Sequence, residues 1–300
     1  MAGRLGWIAV LAMVAASAAC GLDAVGERGT SAIDQTDPGA TAGRDPSDPS
    51  SGRDGAPPTN DATAPTEAGN DDAGTDADAS PPSPYSTRLT SGLVALYEFE
   101  EGTGVTVHDG TPDPVDLTIA DSSLVEWNAH ALNIKDFTKI VSTSKFEKAV
   151  TRCQATKELT VEAWVHPAMA SQDDYGRLVT MADNDVNRNF ALGSFKDKNF
   201  WASIHGGEDL KPKFTVQDKL AHVVSTRTSD GTLRLYVDGT MIGSLANTAS
   251  FDDWKPYSLV VGNVATGGKG WRGEIHLLAI YDHALKDTEI AQNLAAGADP

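Results

Sequence analysis

Three short stretches of the chain place chemically capable side chains at every second position. Glu162, Trp164 and His166 alternate with Val161, Ala163 and Val165; Trp201, Ser203 and His205 alternate with Ala202 and Ile204; Arg234 and Tyr236 alternate with Leu233, Leu235 and Val237. In an extended strand successive side chains point to opposite faces, so each set shares one face of its strand. Flat aromatic rings beside groups that donate and accept hydrogen bonds suit a polyhydroxylated ligand, and the seven ligand-type residues Glu162, Trp164, His166, Trp201, His205, Arg234 and Tyr236 are candidates for one groove. Alternation alone does not say which face is inside, and Trp164 suits a core equally well. If Trp201 is a core residue, the site moves to the loops around Asp183–Asn189 and Gly262–Gly270.

Other chemistries are thinly provided for. No Gly-x-Ser-x-Gly elbow introduces a nucleophilic serine, and Cys153 has no recognisable histidine partner. Two cysteines make neither a disulfide framework nor a cysteine-rich zinc site. Asp183-Asn184-Asp185-Val186-Asn187 sets oxygen ligands at alternate positions, as a calcium loop begins, which makes Asp183 and Asp185 candidate metal ligands. Arg188 stands where such a loop needs glycine and Ser194 where it needs a bidentate glutamate, so a polar rim loop is the alternative. With 42 acidic against 24 basic residues and a net charge of -18, the chain is expected to bind neither nucleic acid nor an anionic lipid surface by charge.

The elements that must carry these residues are short. From about Thr87 onward, alternating apolar runs punctuated by Gly, Asp and Asn predict strands at Leu93–Phe99 and at Thr160–His166, the latter stopped by Pro167. Hairpins are predicted for Phe190–Phe195 with Phe200–Ile204, for His222–Arg227 with Leu233–Val237, and for Leu233–Val237 with Met241–Leu245. The last turns through Asp238-Gly239, the pair a two-residue I′ turn requires. One helix is expected near the end, capped by Asp287, facing the sheet with Ile290 and Leu294, and stopped by Gly297. The fold class is all-β, an antiparallel two-sheet jelly-roll sandwich with a short C-terminal helix, filling residues 86–300 as one domain.

Four blocks in order carry a family likeness: Gly92–Gly104 (GLVALYEFEEGTG), Leu159–Val165 (LTVEAWV), Ala221–Val224 leading to Leu233–Gly239 (LRLYVDG), and Trp271–Ile275 leading to Ile280–Leu285 (IYDHAL). Together they resemble the laminin G-like, or concanavalin A-like lectin/glucanase, jelly roll of bacterial surface proteins. The resemblance implies a concave face or rim loops that bind glycans, or a surface protein in the laminin manner, or an envelope spacer without a tight ligand. Its glucanases carry two carboxylates on one strand, two apart with an aspartate between, at a separation of about 5 to 5.5 Å. Here the run is Glu274-Ile275-His276-Leu277-Leu278-Ala279, with histidine in place of the middle aspartate and no second acid, so hydrolysis is not expected. Nor is lyase chemistry, since the strand motifs dense in Arg, Gln, His and Tyr are missing. The resemblance further implies a structural calcium ion; Asp109 keeps a ligand type, but His276, where relatives carry an acid, is a poor partner for hard Ca²⁺. The reading is therefore a non-catalytic envelope module that binds carbohydrate or mediates surface adhesion.

The N-terminal third reads differently. Arg4, an apolar run through Leu5, Trp7, Ile8, Val10, Leu11, Met13 and Val14, and the small residues Ala15–Ala19 before Cys20 form a secretory signal over residues 1–20. Small residues before a cysteine resemble the lipobox of bacterial lipoproteins, in which Cys20 is acylated; Ser17 stands where leucine is usual, and a plain signal peptide or an N-terminal membrane anchor is the alternative. Gly21 and Leu22 after the cysteine resemble the pattern of export to the outer membrane, hence a lipid-anchored location at the bacterial outer membrane or cell surface. Residues 21–85 hold nine prolines, thirteen acids and no aromatic before Tyr85, too little apolar surface to offset chain entropy, and read as a disordered tether.

Overall fold

The computed structural model of the protein describes residues 87–168, 172–195 and 199–298. The signal at residues 1–20, the lipidation at Cys20, the tether at residues 21–85 and most of the turn Lys196–Asn199 lie outside the described residues.

Fifteen strands and two helices follow one another in the order β1 (Leu93–Tyr97), β2 (Thr106–Val107), β3 (Leu117–Ile119), β4 (Val125–Asn128), β5 (Ala131–Ile134), β6 (Ile140–Ser142), α1 (Glu147–Thr156), β7 (Leu159–Pro167), β8 (Gly176–Ala182), β9 (Arg188–Ser194), β10 (Phe200–Ile204), β11 (Ala221–Arg227), β12 (Thr232–Val237), β13 (Thr240–Ala246), β14 (Leu259–Val261), β15 (Gly273–Tyr281) and α2 (Asp287–Ala296). The first sheet has eight strands, ordered β13-β12-β11-β7-β15-β5-β4, with β1 also paired to β15; the second has seven, ordered β10-β9-β8-β14-β6-β3-β2. Each is antiparallel, as in a jelly-roll sandwich. The apolar half of each alternating run fills the space between them: Leu159, Val161, Ala163 and Val165 of β7, Leu233, Leu235 and Val237 of β12, and Phe200, Ala202 and Ile204 of β10. Asp238 and Gly239 have φ of +48° and +74°, the two positive values an I′ turn demands, and they set the β12–β13 register.

Three expectations are corrected. The first strand ends at Tyr97, because Phe99 takes a φ of +53° and leaves the sheet. A second helix, α1, precedes β7; it buries Ala149, Val150 and Cys153 and ends at Lys157, whose φ is +61°. Its apolar face is only those three residues wide, among charged neighbours, and for that reason it escaped the periodicity. In α2 the N-cap is Lys286 rather than Asp287, with the Glu289 carboxylate accepting the Lys286 N–H at 2.8 Å. The helix turns Ile290 and Asn293, not Leu294, fully inward, and Gly297 ends it at a φ of +83°.

That inward side of α2 does not face the space between the sheets. It lies on the outer face of the first sheet, where Ile290 and Leu285 join Val224, Tyr236, Leu277, Ala279 and Tyr281 in a second apolar cluster.

Candidate functional site

Five of the seven groove candidates share the outer face of the first sheet. Glu162, Trp164 and His166 project from β7, Arg234 and Tyr236 from β12, and β11 lies between, pairing Val224 with both Glu162 and Tyr236. The face is nevertheless half closed. The Glu162 side chain has no exposed surface. Its carboxylate is paired with Arg88, accepts from Asn293 Nδ2 of α2 at 2.7 Å and meets His222 Nε2 at 2.9 Å. Burial pushes the Glu162 carboxyl up, but the His222 hydrogen bond and the Arg88 charge outweigh it and hold the group below the usual carboxylate range. Trp164 stacks on His222 with centroids 4.8 Å apart, and Tyr236 donates its hydroxyl to Asp287 at 3.0 Å. Glu162 is thus a structural anchor for α2 and the Arg88 segment, not a groove residue.

Beyond the helix the face opens around His166. Its Nε2 meets Asp218 at 2.9 Å, and its Nδ1 stands 3.8 Å from Glu274. Glu274 also accepts from Asn128 at 2.8 Å and lies 3.6 Å from His276 Nε2. The three residues that follow His276 on β15 are buried apolar side chains, Leu277, Leu278 and Ala279. The strand brings no second carboxylate to Glu274.

Trp201 and His205 belong to the other side of the molecule, so the seven residues form no single groove. Trp201 projects from β10, at the edge of the second sheet, and is fully buried, while His205 follows the end of that strand. The cover of Trp201 is Arg177, whose guanidinium sits 4.3 Å from the ring centroid, with Tyr175 and Phe195 packed around the edge. Gly193 makes this possible. It lies between Arg177 and Trp201 in the cross-strand row, and a Cβ there would come within 1.9 Å of the Gly176 carbonyl and 3.1 Å of Trp201 Nε1.

His205, by contrast, is exposed and lines a cleft of about 510 Å³ together with Asn187, Arg188, Trp254, Lys255 and Tyr257. Asn189 fixes one wall to the other: its Nδ2 donates to the Lys255 carbonyl at 2.7 Å, its Oδ1 accepts the Lys255 N–H at 3.1 Å, and its own carbonyl accepts the His205 N–H at 2.9 Å. Trp254 is held rigid by Phe251 and Phe190, at centroid distances of 4.5 and 6.0 Å. The loop Asp183–Asn189 supplies one rim, and Lys269 of the loop Gly262–Gly270 reaches Asp185 at 3.7 Å. Arg177, Trp254 and Tyr257 went unread in the sequence, and Arg188 was noted only as a misfit in a calcium loop; the one signal was the pair of aromatics in Trp254-Lys255-Pro256-Tyr257, outside any alternating run. A shallower groove of about 550 Å³ beside the start of α2 contains Arg234, Tyr236, Met241 and Lys286.

Two of the three candidate metal ligands, Asp109 and Asp185, are held in other contacts. Asp109 Oδ1 accepts from Leu96 N at 3.2 Å, Thr111 N at 3.1 Å and Thr111 Oγ1 at 2.8 Å, and Oδ2 from Val115 N at 3.0 Å and Lys148 Nζ at 2.5 Å. The same ammonium donates to Thr111 Oγ1 at 3.1 Å and the Asp113 carbonyl at 2.5 Å, so Lys148 fills the point at which three oxygens converge. Asp185 pairs with Arg177 at 2.8 Å, and the Asp183 backbone N–H closes a turn on Asn187. Among the described residues no three His, Cys, Asp or Glu side chains are grouped to hold a metal ion.

The model of the concanavalin A-like lectin/glucanases superfamily, in its laminin G form, matches residues 142–291. Among solved structures, Trypanosoma rangeli sialidase in complex with sialic acid aligns with a TM-score of 0.55 at 16% identity, over 70% of this chain and 34% of that one. The binding domain of botulinum neurotoxin serotype D/C VPI 5993 aligns with a TM-score of 0.53 at 11% identity, over 69% of this chain and 52% of that one. The chain thus spans about a third of the sialidase and half of the toxin domain, and at these identities the likeness is one of fold. No curated protein matches the chain.

Proposed function

Since the chain belongs to the concanavalin A-like lectin/glucanase superfamily, we propose that its folded domain is a non-catalytic carbohydrate-binding module of the cell envelope, with its ligand in the cleft beside His205. The observation that carries this reading is the cleft's composition: the part-exposed Tyr257 ring and the hydrogen-bonding side chains of Asn187, Arg188, His205 and Lys255 line one space floored by the buried Trp254. Asn189 holds the walls together, which lowers the ordering cost of binding. Glu274, shared between Asn128 and two histidines and without a second carboxylate on its own strand, supports binding over hydrolysis.

A glycan array of residues 86–300, followed by titration of the best hit, tests the reading. A dissociation constant between about 1 μM and 1 mM is expected, weakened at least several-fold by Tyr257→Ala and by His205→Ala with the melting midpoint unchanged. Binding that survives both substitutions would move the ligand to another face.

The same reading displays the domain from a lipid on Cys20 through the tether of residues 21–85, at the outer membrane or cell surface, where adhesion is the use for a binding module. A Cys20→Ala variant then leaves the detergent phase; its retention there refutes the anchor.

A further inference from the structure

One edge of the first sheet is left bare. β13 ends the strand order, and among the described residues no strand pairs with its far side. Its seven residues, Thr240–Ala246, include neither proline nor charge, the features with which natural sheets discourage strand addition. The ends of the other strand rows are blunted. β2 has only two residues, and β4 has four with the charged Glu126 among them. β10 is capped by two backbone bonds between Ala202 and Leu210, at 3.0 and 2.8 Å, and β1 by the Gly110 N–H and the Asp109 carboxylate on the backbone of Leu96.

The pairing fixes which backbone groups of β13 are free. Asp238 N–H donates to His222 of β11, so by the alternation of an antiparallel ladder Leu233 and Leu235 bond towards β13, and their partners Leu245 and Gly243 bond back. The N–H and C=O of Ser244 and Ala246 therefore face outward, and both residues are exposed. Beside them runs a groove of about 410 Å³, whose other wall is the segment Glu208–Lys213. That segment runs opposite to β13: Asn247 Nδ2 donates to the Glu208 carbonyl at 3.2 Å, while Pro212 packs on Gly243, where a Cβ would come within 2.9 Å of it. Lys211 is paired with Asp209 at 3.4 Å, which leaves Glu208 and Lys213 as the free charges of the groove, one towards each end.

We infer that this edge is a dimer interface, at which β13 of a second copy adds antiparallel to β13 about a twofold axis near Leu245. Residues opposed across an antiparallel ladder share a face, so Ser244 of each copy meets Ala246 of the other, and each such pair exchanges two backbone bonds. The twofold reverses the order of the groove wall, which brings Glu208 of each copy to Lys213 of the other. A second copy fits better than an arbitrary strand because the wall is complementary to itself, with two carboxylates against two ammoniums, Glu208 and Asp209 against Lys211 and Lys213. The pairing is independent of the cleft reading above.

Sedimentation equilibrium of the full chain from about 1 to 200 μM should show monomer and dimer in exchange, with a dissociation constant of about 10 to 100 μM. Ser244→Pro removes one outward donor at an edge position that tolerates proline, and should weaken association at least about tenfold with the melting midpoint held within a few degrees. Glu208→Lys should weaken it at least about threefold, and adding Lys213→Glu to that variant should restore it. This second pair keeps the inference open to refutation if Ser244→Pro misfolds. A chain that stays monomeric throughout overturns the inference. So does association that all of these variants leave unchanged, since it then runs through another surface.

Discussion

Removing the ammonium of Lys148 would leave the Asp109 carboxylate, whose side chain has no exposed surface, without its counter-charge. Breaking a buried pair from one side costs on the order of 3 to 5 kcal/mol, so Lys148→Met should melt well below the parent. The three oxygens that Lys148 bridges, a carboxylate, a hydroxyl and a carbonyl, are the ligand types of a hard cation. We therefore predict that the parent's melting midpoint is indifferent to calcium and to chelator, while millimolar calcium restores part of the midpoint lost in Lys148→Met. A calcium-dependent parent would contradict this assignment. Cys153, buried on the other side of the same helix, is pushed up to about 12 by desolvation and is expected to resist alkylation in the folded protein.

At the scale of elements, α2 depends on a charge in the sheet beneath it. Glu162 is held below its ordinary value in the folded state, so its contribution is complete above the unfolded value of about 4.3 and fades as pH falls through the lower folded one. The midpoint should drop between about pH 5 and pH 3 in the parent. Glu162→Gln should be less stable at neutral pH and show a shallower acid slope; equal slopes would detach the acid transition from this residue. Strands and turns were legible because a period of two and an Asp-Gly pair act locally. Which face was open was not, because the cover arrives from α2 and from Arg88, more than seventy residues away in sequence. Glu162, Trp164 and His166 look alike along β7, yet the first is sealed under α2 while His166 meets solvent. Arg177 was invisible for a related reason, since only the pairing of β8, β9 and β10 sets it across Gly193 onto Trp201.

For the whole molecule, the two sheets differ in what covers their outer faces. The first sheet holds α2 on its outer face, and the cleft and the Arg177–Trp201 stack lie by the β10 edge of the second. The segment that enters the domain is bonded directly to the one that leaves it: Gln292 donates to the Thr87 carbonyl, Asn293 accepts the Leu89 N–H, and Arg88 donates to the Gly297 carbonyl, at 2.8, 2.9 and 2.5 Å. A domain whose entering and leaving segments are already in contact is a closed ring in all but one covalent link. Circular permutation should therefore be tolerated, with a short Gly/Ser bridge from residue 298 to residue 87 and new termini in the exposed loop at Gly102–Thr103. The permutant is expected to melt within a few degrees of the parent and to keep its ligand, and failure to fold would mean that order of synthesis matters. By the same geometry this sandwich is a cassette that can be spliced into a surface loop of a host protein without forcing the host's two flanking ends apart.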